Sequence, residues 1–187
     1  MQLMMYRPGA PAPEARFPEG YAVRAMEPGE EGLWSRACMG SFTPDDDPAH
    51  YAQRMTEGVF PGNVLLLIRT APDGTEEIAG TATAQILDGR AYLHYVAVRP
   101  EHRGRGLSHP LCAAVLRRHE ELGSAPGCFL TTDDERLPAI AGYLKLGFLP
   151  VLRSDDALDR WNAVLTALAA GKPGARRNIR MFTPEGL

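Results

Sequence analysis

The chain has 187 residues, enough for one ordinary domain with a substantial core. Apolar residues at 44% and charged residues at 23% exclude wholesale disorder, and a net charge of −3 argues against a nucleic-acid binder, which shows a basic excess. No apolar run approaches the roughly 20 residues of a membrane span, and Cys38, Cys112 and Cys128 form neither a CxxC pair nor a zinc spacing. Free thiols, no metal, no membrane partner and a cytoplasmic location are the expectation.

In chain order, residues 1–20 lack a continuous apolar stretch and carry Arg7, Glu14 and Arg16, unlike a secretory signal. Pro8, Pro11, Pro13 and Pro18 predict an extended arm outside the core, leaving 21–187 as a single domain. Residues 21–26 (YAVRAM) read as a strand. Pro28 opens a helix to about Met39, with Glu27, Glu30 and Glu31 at its positive end and Gly40 as its stop. The acidic run Asp45-Asp46-Asp47 leads to a second helix, with Asp47 as N-cap, Pro48 in the first turn and Gly58 as its end.

The period then changes to that of strands. Residues 63–69 (NVLLLIR) and 78–87 (IAGTATAQIL) flank the turn signal Pro72-Asp73-Gly74, and Asp88-Gly89 leads into 91–98 (AYLHYVAV). This is a meander of three antiparallel strands. A helix from about Ser108 or His109 to Leu122, a strand over 128–132, a helix over 137–146 and a strand over 148–153 follow. A last helix starts at Ser154 or Asp155, repeats Leu158, Trp161, Val164, Leu165 and Leu168 at helical spacing, and stops at Gly171. The tail carries Lys172, Arg176, Arg177 and Arg180 around a short candidate edge strand, 179–182. The order describes a mixed α/β domain with a meander ahead of a βαβ half.

The turn at 103–108 carries the chemistry. A strand ends at Val98, and a helix begins just after Gly104 and Gly106. Amides at a helix start have no partners within the helix, and the macrodipole adds positive charge there. The glycines let backbone approach a phosphate, and Arg103 and Arg105 add charge that can fork onto its oxygens. The motif alone is also met by a plain strand-to-helix turn with solvated arginines.

The neighbouring residues decide between these. Tyr95-Val96-Ala97-Val98-Arg99-Pro100 before Arg103-Gly104-Arg105-Gly106 resembles the acetyl-CoA signature of the GNAT N-acetyltransferase superfamily. Residues 139–148 (AIAGYLKLGF) resemble its second signature, in the right order. The resemblance spans 21–152 in element order and implies a GNAT-like fold whose central parallel strands splay at a bulge, here with an added C-terminal helix. It implies that Val96, Ala97 and Val98 line the pantetheine arm of acetyl-CoA. It implies, too, that the amides of Arg103, Gly104, Arg105, Gly106, Leu107 and Ser108 hold the pyrophosphate, and that Tyr143 protonates the departing thiolate. Ser108 stands where the family has Gly or Ala. The Asn common before the second signature is replaced by residues 132–136 (TDDER). Pro110 predicts a helix that starts late, with Ser108 or His109 as its cap.

An acceptor amine must lose a proton, and a base with a pKa near 7 suits that task. His94 lies on the strand flanking the expected cleft and is a candidate for that base; the plainer reading is a half-buried strand histidine with an ordinary hydrogen bond. Asp133 and Asp134 are further candidates, or else caps of the next helix. The acidic run 45–47 can attract a cationic acceptor or form a solvated loop. The C-terminal helix can pack over the sheet, cover the acceptor site or form a homodimer contact. The expected activity is acetyl transfer from acetyl-CoA to the primary amine of a small molecule, less so of a peptide or protein. A non-catalytic CoA-binding regulatory domain is the alternative. A nucleotide enzyme of another kind finds no GxxxxGK[ST] and no GxGxxG after a first strand.

Overall fold

The structure is a computed structural model that describes residues 2–60, 62–124, 127–170 and 179–183. The chain divides into two compact units, Pro11–Ala125, and Met1–Ala10 with Pro126–Leu187.

In the first unit, β2 (Tyr21–Ala25), β3 (Val64–Thr70), β4 (Glu76–Leu87) and β5 (Arg90–Val98) pair antiparallel in that order. The turns follow from local chemistry. Between β3 and β4, Gly74 takes φ 84 and the Thr75 amide bonds to Asp73 Oδ1 at 2.9 Å. Between β4 and β5, Asp88 (φ 50) and Gly89 (φ 72) are both left-handed, the two-residue turn whose twist matches that of the strands.

The centre of this sheet is covered on both sides, so Val64 to Ile68 are buried without alternation. Helix α1 (Glu31–Cys38) packs on β3, β4 and β5, and α3 (Ser108–Glu121) on β4 and β5. Trp34 of α1 is fully buried, edge-on to Tyr51 and Tyr95 with ring centres 5.5 and 5.2 Å away. Helix α1 begins three residues later than Pro28, because Pro28 and Gly29 (φ 92) form a turn. Helix α2 (Ala49–Arg54) ends at Arg54 rather than near Gly58. Gly58 (φ 64) instead lies against β4, where an added Cβ would fall 1.9 Å from the Ile86 carbonyl oxygen.

In the second unit, β6 (Gly127–Thr132) and β7 (Leu149–Val151) both pair antiparallel with β1 (Leu3–Pro8). This corrects the expectation of an arm outside the core. Leu3 and Met5, 2% and 0% exposed, alternate with half-buried Met4 and Tyr6, so residues 3–8 are a strand and only 9–20 run without regular structure. Buried Arg7 donates from Nε to the Leu146 carbonyl at 2.9 Å, satisfying the C-terminal end of α4 (Leu137–Lys145). Helix α5 (Ala157–Ala170) buries Trp161, whose Nε1 donates to the Val151 carbonyl at 3.3 Å. The tail strand expected over 179–182 reduces to one bridge, Phe182 beside Val151. Gly171, Lys172, Arg176 and Arg177 lie outside the described residues. Among the described residues no helix is long and apolar enough to cross a membrane.

Candidate active site

The register of β4 and β5 slips once. Thr83 pairs with His94 and Thr81 with Ala97, so Tyr95 and Val96 together oppose Ala82. This is a bulge on β5, and Tyr95 takes φ 46 to make it. A non-glycine residue there costs about 1–2 kcal/mol. Packing offsets the cost, since the Tyr95 ring lies edge-on to Trp34 and to Phe42, 5.3 Å between centres. Ala97 returns to the ladder nearly buried, and Val98 sits opposite Gly80. A Cβ on Gly80 would lie 2.3 Å from the Ala97 carbonyl oxygen, so the close approach of the two strands requires glycine.

Past Val98 a 3-10 turn over Pro100–His102 leads to the glycines. His102 anchors it from below, 4% exposed, with Nδ1 3.1 Å from the Tyr21 hydroxyl. Burial lowers its pKa. Gly104 and Gly106 take φ 76 and 74, and among the described residues no atom beyond their chain neighbours lies within 4 Å of where a Cβ would stand on either. The cradle is therefore shaped by backbone and open in front. The first intrahelical bond of α3 runs from the Leu111 amide to the Leu107 carbonyl at 3.1 Å. The amides of Leu107, Ser108 and His109 precede it, and no side chain caps the helix. The cap position is Leu107, one residue before Ser108 and two before His109, the expected caps. Pro110, third in the helix, replaces an amide that would have no intrahelical partner anyway, so the helix need not distort.

The two arginines differ. Arg103 donates from Nε to the Val98 carbonyl at 2.9 Å, and from Nη2 to Ser41 Oγ at 3.0 Å and the Gly40 carbonyl at 3.2 Å. Its guanidinium braces the turn against the loop after α1, while Arg105 is exposed at the cradle.

His94 shares a face of the sheet with Thr83 and Gln85. Its Nδ1 meets Gln85 Oε1, and Gln85 Nε2 donates to the Glu57 carbonyl at 2.6 Å. Burial lowers the His94 pKa, so the ring is neutral at neutral pH. The sequence reading missed Gln85; the signal was a single amide in the apolar run 78–87.

In the second unit, Tyr143 is half-buried on α4, its ring tilted 64° to Phe148 with centres 6.0 Å apart. Neither Asp133 nor Asp134 caps α4, whose N-cap position is Arg136. Asp134 is forked by Arg160 at 2.5 and 3.0 Å, which holds its carboxyl below the usual range. Asp133 accepts from Gln2 and pairs with Arg136, both at 2.9 Å. These carboxylates are engaged in ion pairs. The acidic run is also partnered: Asp45 pairs with His50 at 2.7 Å, Asp46 with Arg36 at 2.8 Å, and Asp47 accepts the Ala49 amide at 2.9 Å. Burial pushes the Cys38 thiol up to about 12, which makes it a poor nucleophile. Among the described residues no three His, Cys, Asp or Glu side chains gather as a metal site.

Comparison with known proteins bears on this arrangement. The model of the acetyltransferase (GNAT) family matches residues 31–148. A mycothiol acetyltransferase of Streptomyces bingchenggensis is 35% identical over 158 residues, which cover 77% of this chain and 49% of that protein. One from Pseudarthrobacter chlorophenolicus is 30% identical, covering 74% and 46%. The chain thus spans about half the length of these relatives. Among solved structures, a GCN5-related N-acetyltransferase from Sphaerobacter thermophilus superposes with a TM-score of 0.67 at 25% identity, over 79% of this chain and 47% of that one.

Proposed function

This chain belongs to the GNAT acetyltransferase family, and on that premise we propose that it moves an acetyl group from acetyl-CoA to a primary amine of a small molecule, by direct attack in a ternary complex. The observation that carries the reading is the uncapped start of α3 behind two left-handed glycines with open space before them. Free amides, the helix dipole and exposed Arg105 suit the two charges of a pyrophosphate. Backbone groups of Val96 and Val98, at the bulge and just past it, are those that the family resemblance assigns to the pantetheine arm. A small-molecule acceptor is supported by the relatives named mycothiol acetyltransferases.

The thioester supplies an acetyl carbon for the amine nitrogen to attack. His94 Nε2 takes the proton that the amine must lose, and the Tyr143 hydroxyl, by its place in the second signature, gives one to the sulfur as the C–S bond breaks. A C–N bond replaces a C–S bond, and no covalent acyl-enzyme is required. The raised pKa of the Cys38 thiol fits that economy.

Thiol release from acetyl-CoA across a panel of amines tests the proposal. Turnover is expected with at least one small amine, and Tyr143→Phe is expected to lower kcat about a hundredfold or more, the range of a positioned acid. CoA binding without turnover on any amine would overturn it in favour of a regulatory CoA-binding domain. Undiminished kcat in the variant would remove Tyr143 from the chemistry.

A further inference from the structure

Strand β4 is built almost wholly of small and apolar residues where it is buried, yet Gln85 near its end is 4% exposed. A buried amide left unpaired costs about 1–3 kcal/mol, and here both ends are used. The Glu57 carbonyl can only accept, so it dictates which way the amide faces: Nε2 toward Glu57, Oε1 toward His94. Turned over, two oxygens would confront each other. An oxygen that only accepts demands a proton on His94 Nδ1. A neutral imidazole has one N–H, so its lone pair lies on Nε2.

The choice of an amide matters as well. A carboxylate in the same place would stabilise the imidazolium and raise the ring's pKa, whereas an uncharged amide orients the ring without doing so. Burial adds to this by favouring the neutral ring. Directly across from His94, Thr83 Oγ1 is buried with no hydrogen-bond partner among the described residues. It is an unspent polar group beside the ring, at the bulge.

We infer that Gln85, itself oriented by the Glu57 carbonyl, is a positioning residue that holds His94 in the Nδ1–H tautomer and so presents Nε2 as the proton acceptor. The inference rests on the proposed reading of His94 as the base.

Nitrogen-15 spectra of the histidine rings in the full chain test it, with the His94 signals assigned by their loss in His94→Gln. The wild type is expected to show a protonated Nδ1 and a bare Nε2. In Gln85→Met, close in size but without the acceptor, the ring is expected to move to the Nε2–H tautomer. There kcat is expected to fall about tenfold to a hundredfold, part of the 10²–10⁴ that a general base supplies, with KM for acetyl-CoA within about twofold. A wild-type ring protonated on Nε2 would overturn the inference, and that spectrum needs no variant to fold. An unchanged tautomer in Gln85→Met would overturn it equally. A tautomer that switches while kcat stays constant would instead remove His94 from the chemistry and leave Gln85's hold on the ring standing.

Discussion

At Gly106 the backbone holds φ 74 and a side chain would meet open space rather than protein. A substitution there thus separates ligand binding from folding. Strain from the left-handed backbone amounts to about 1–2 kcal/mol for any L side chain. Gly106→Ala is expected to bear only that. Gly106→Glu adds a carboxylate where a pyrophosphate is proposed, and calorimetry with CoA is expected to show affinity at least a hundredfold weaker in a protein that still unfolds cooperatively. Undiminished affinity would move the pyrophosphate elsewhere. Arg103 shows the limit of reading charge from sequence. It is adjacent to Gly104, yet its guanidinium is engaged with Val98, Gly40 and Ser41.

Between elements, glycine acts by what faces it. Gly80 lies so close to β5 that a methyl group would meet the Ala97 carbonyl oxygen at 2.3 Å, backbone that cannot turn aside as a side chain can. Gly142, within α4, has no atom of the described residues beyond its own helix backbone and chain neighbours within 4 Å of the same position. The same substitution is therefore expected to have opposite signs. Gly80→Ala should destabilise by about 1–3 kcal/mol through overpacking, and Gly142→Ala should stabilise by about 0.5–1 kcal/mol through helix propensity. Urea unfolding of the two variants checks this, and equal midpoints would contradict the close packing of β4 on β5.

For the whole molecule, burial lowers the pKa of His94, His102 and His119 alike. The folded chain keeps these rings neutral, while the unfolded chain protonates them near pH 6.5. The unfolded state then binds more protons, so stability rises with pH through this window. It is fully present above about pH 6.5 and is lost as pH falls toward the lowered folded values. Carboxylates held down by partners, such as Asp134 with Arg160 and Asp45 through the Asp47 amide and His50, act with the same sign below about pH 4. Thermal unfolding at constant ionic strength is expected to show Tm falling between pH 7 and 5, before the carboxylates titrate. A flat Tm over that range would contradict the burial of the three rings.

The sequence alone carried the turns, most helices and the glycine turn ahead of α3, because each depends on residues adjacent along the chain. Asp88-Gly89 makes a left-handed turn from its own two residues, and the amides of Leu107, Ser108 and His109 at the start of α3 follow directly on Gly104 and Gly106. Strand β1 was hidden among prolines because its pairing partners, residues 127–132 and 149–151, lie at the far end of the sequence. The same holds for Asp134, whose charge is met by Arg160, and for His94, whose tautomer depends on an amide and a carbonyl from two other segments. Local conformation is set by neighbours in sequence. Pairing, charge state and proton position are set by neighbours in space, and only the tertiary structure brings those together.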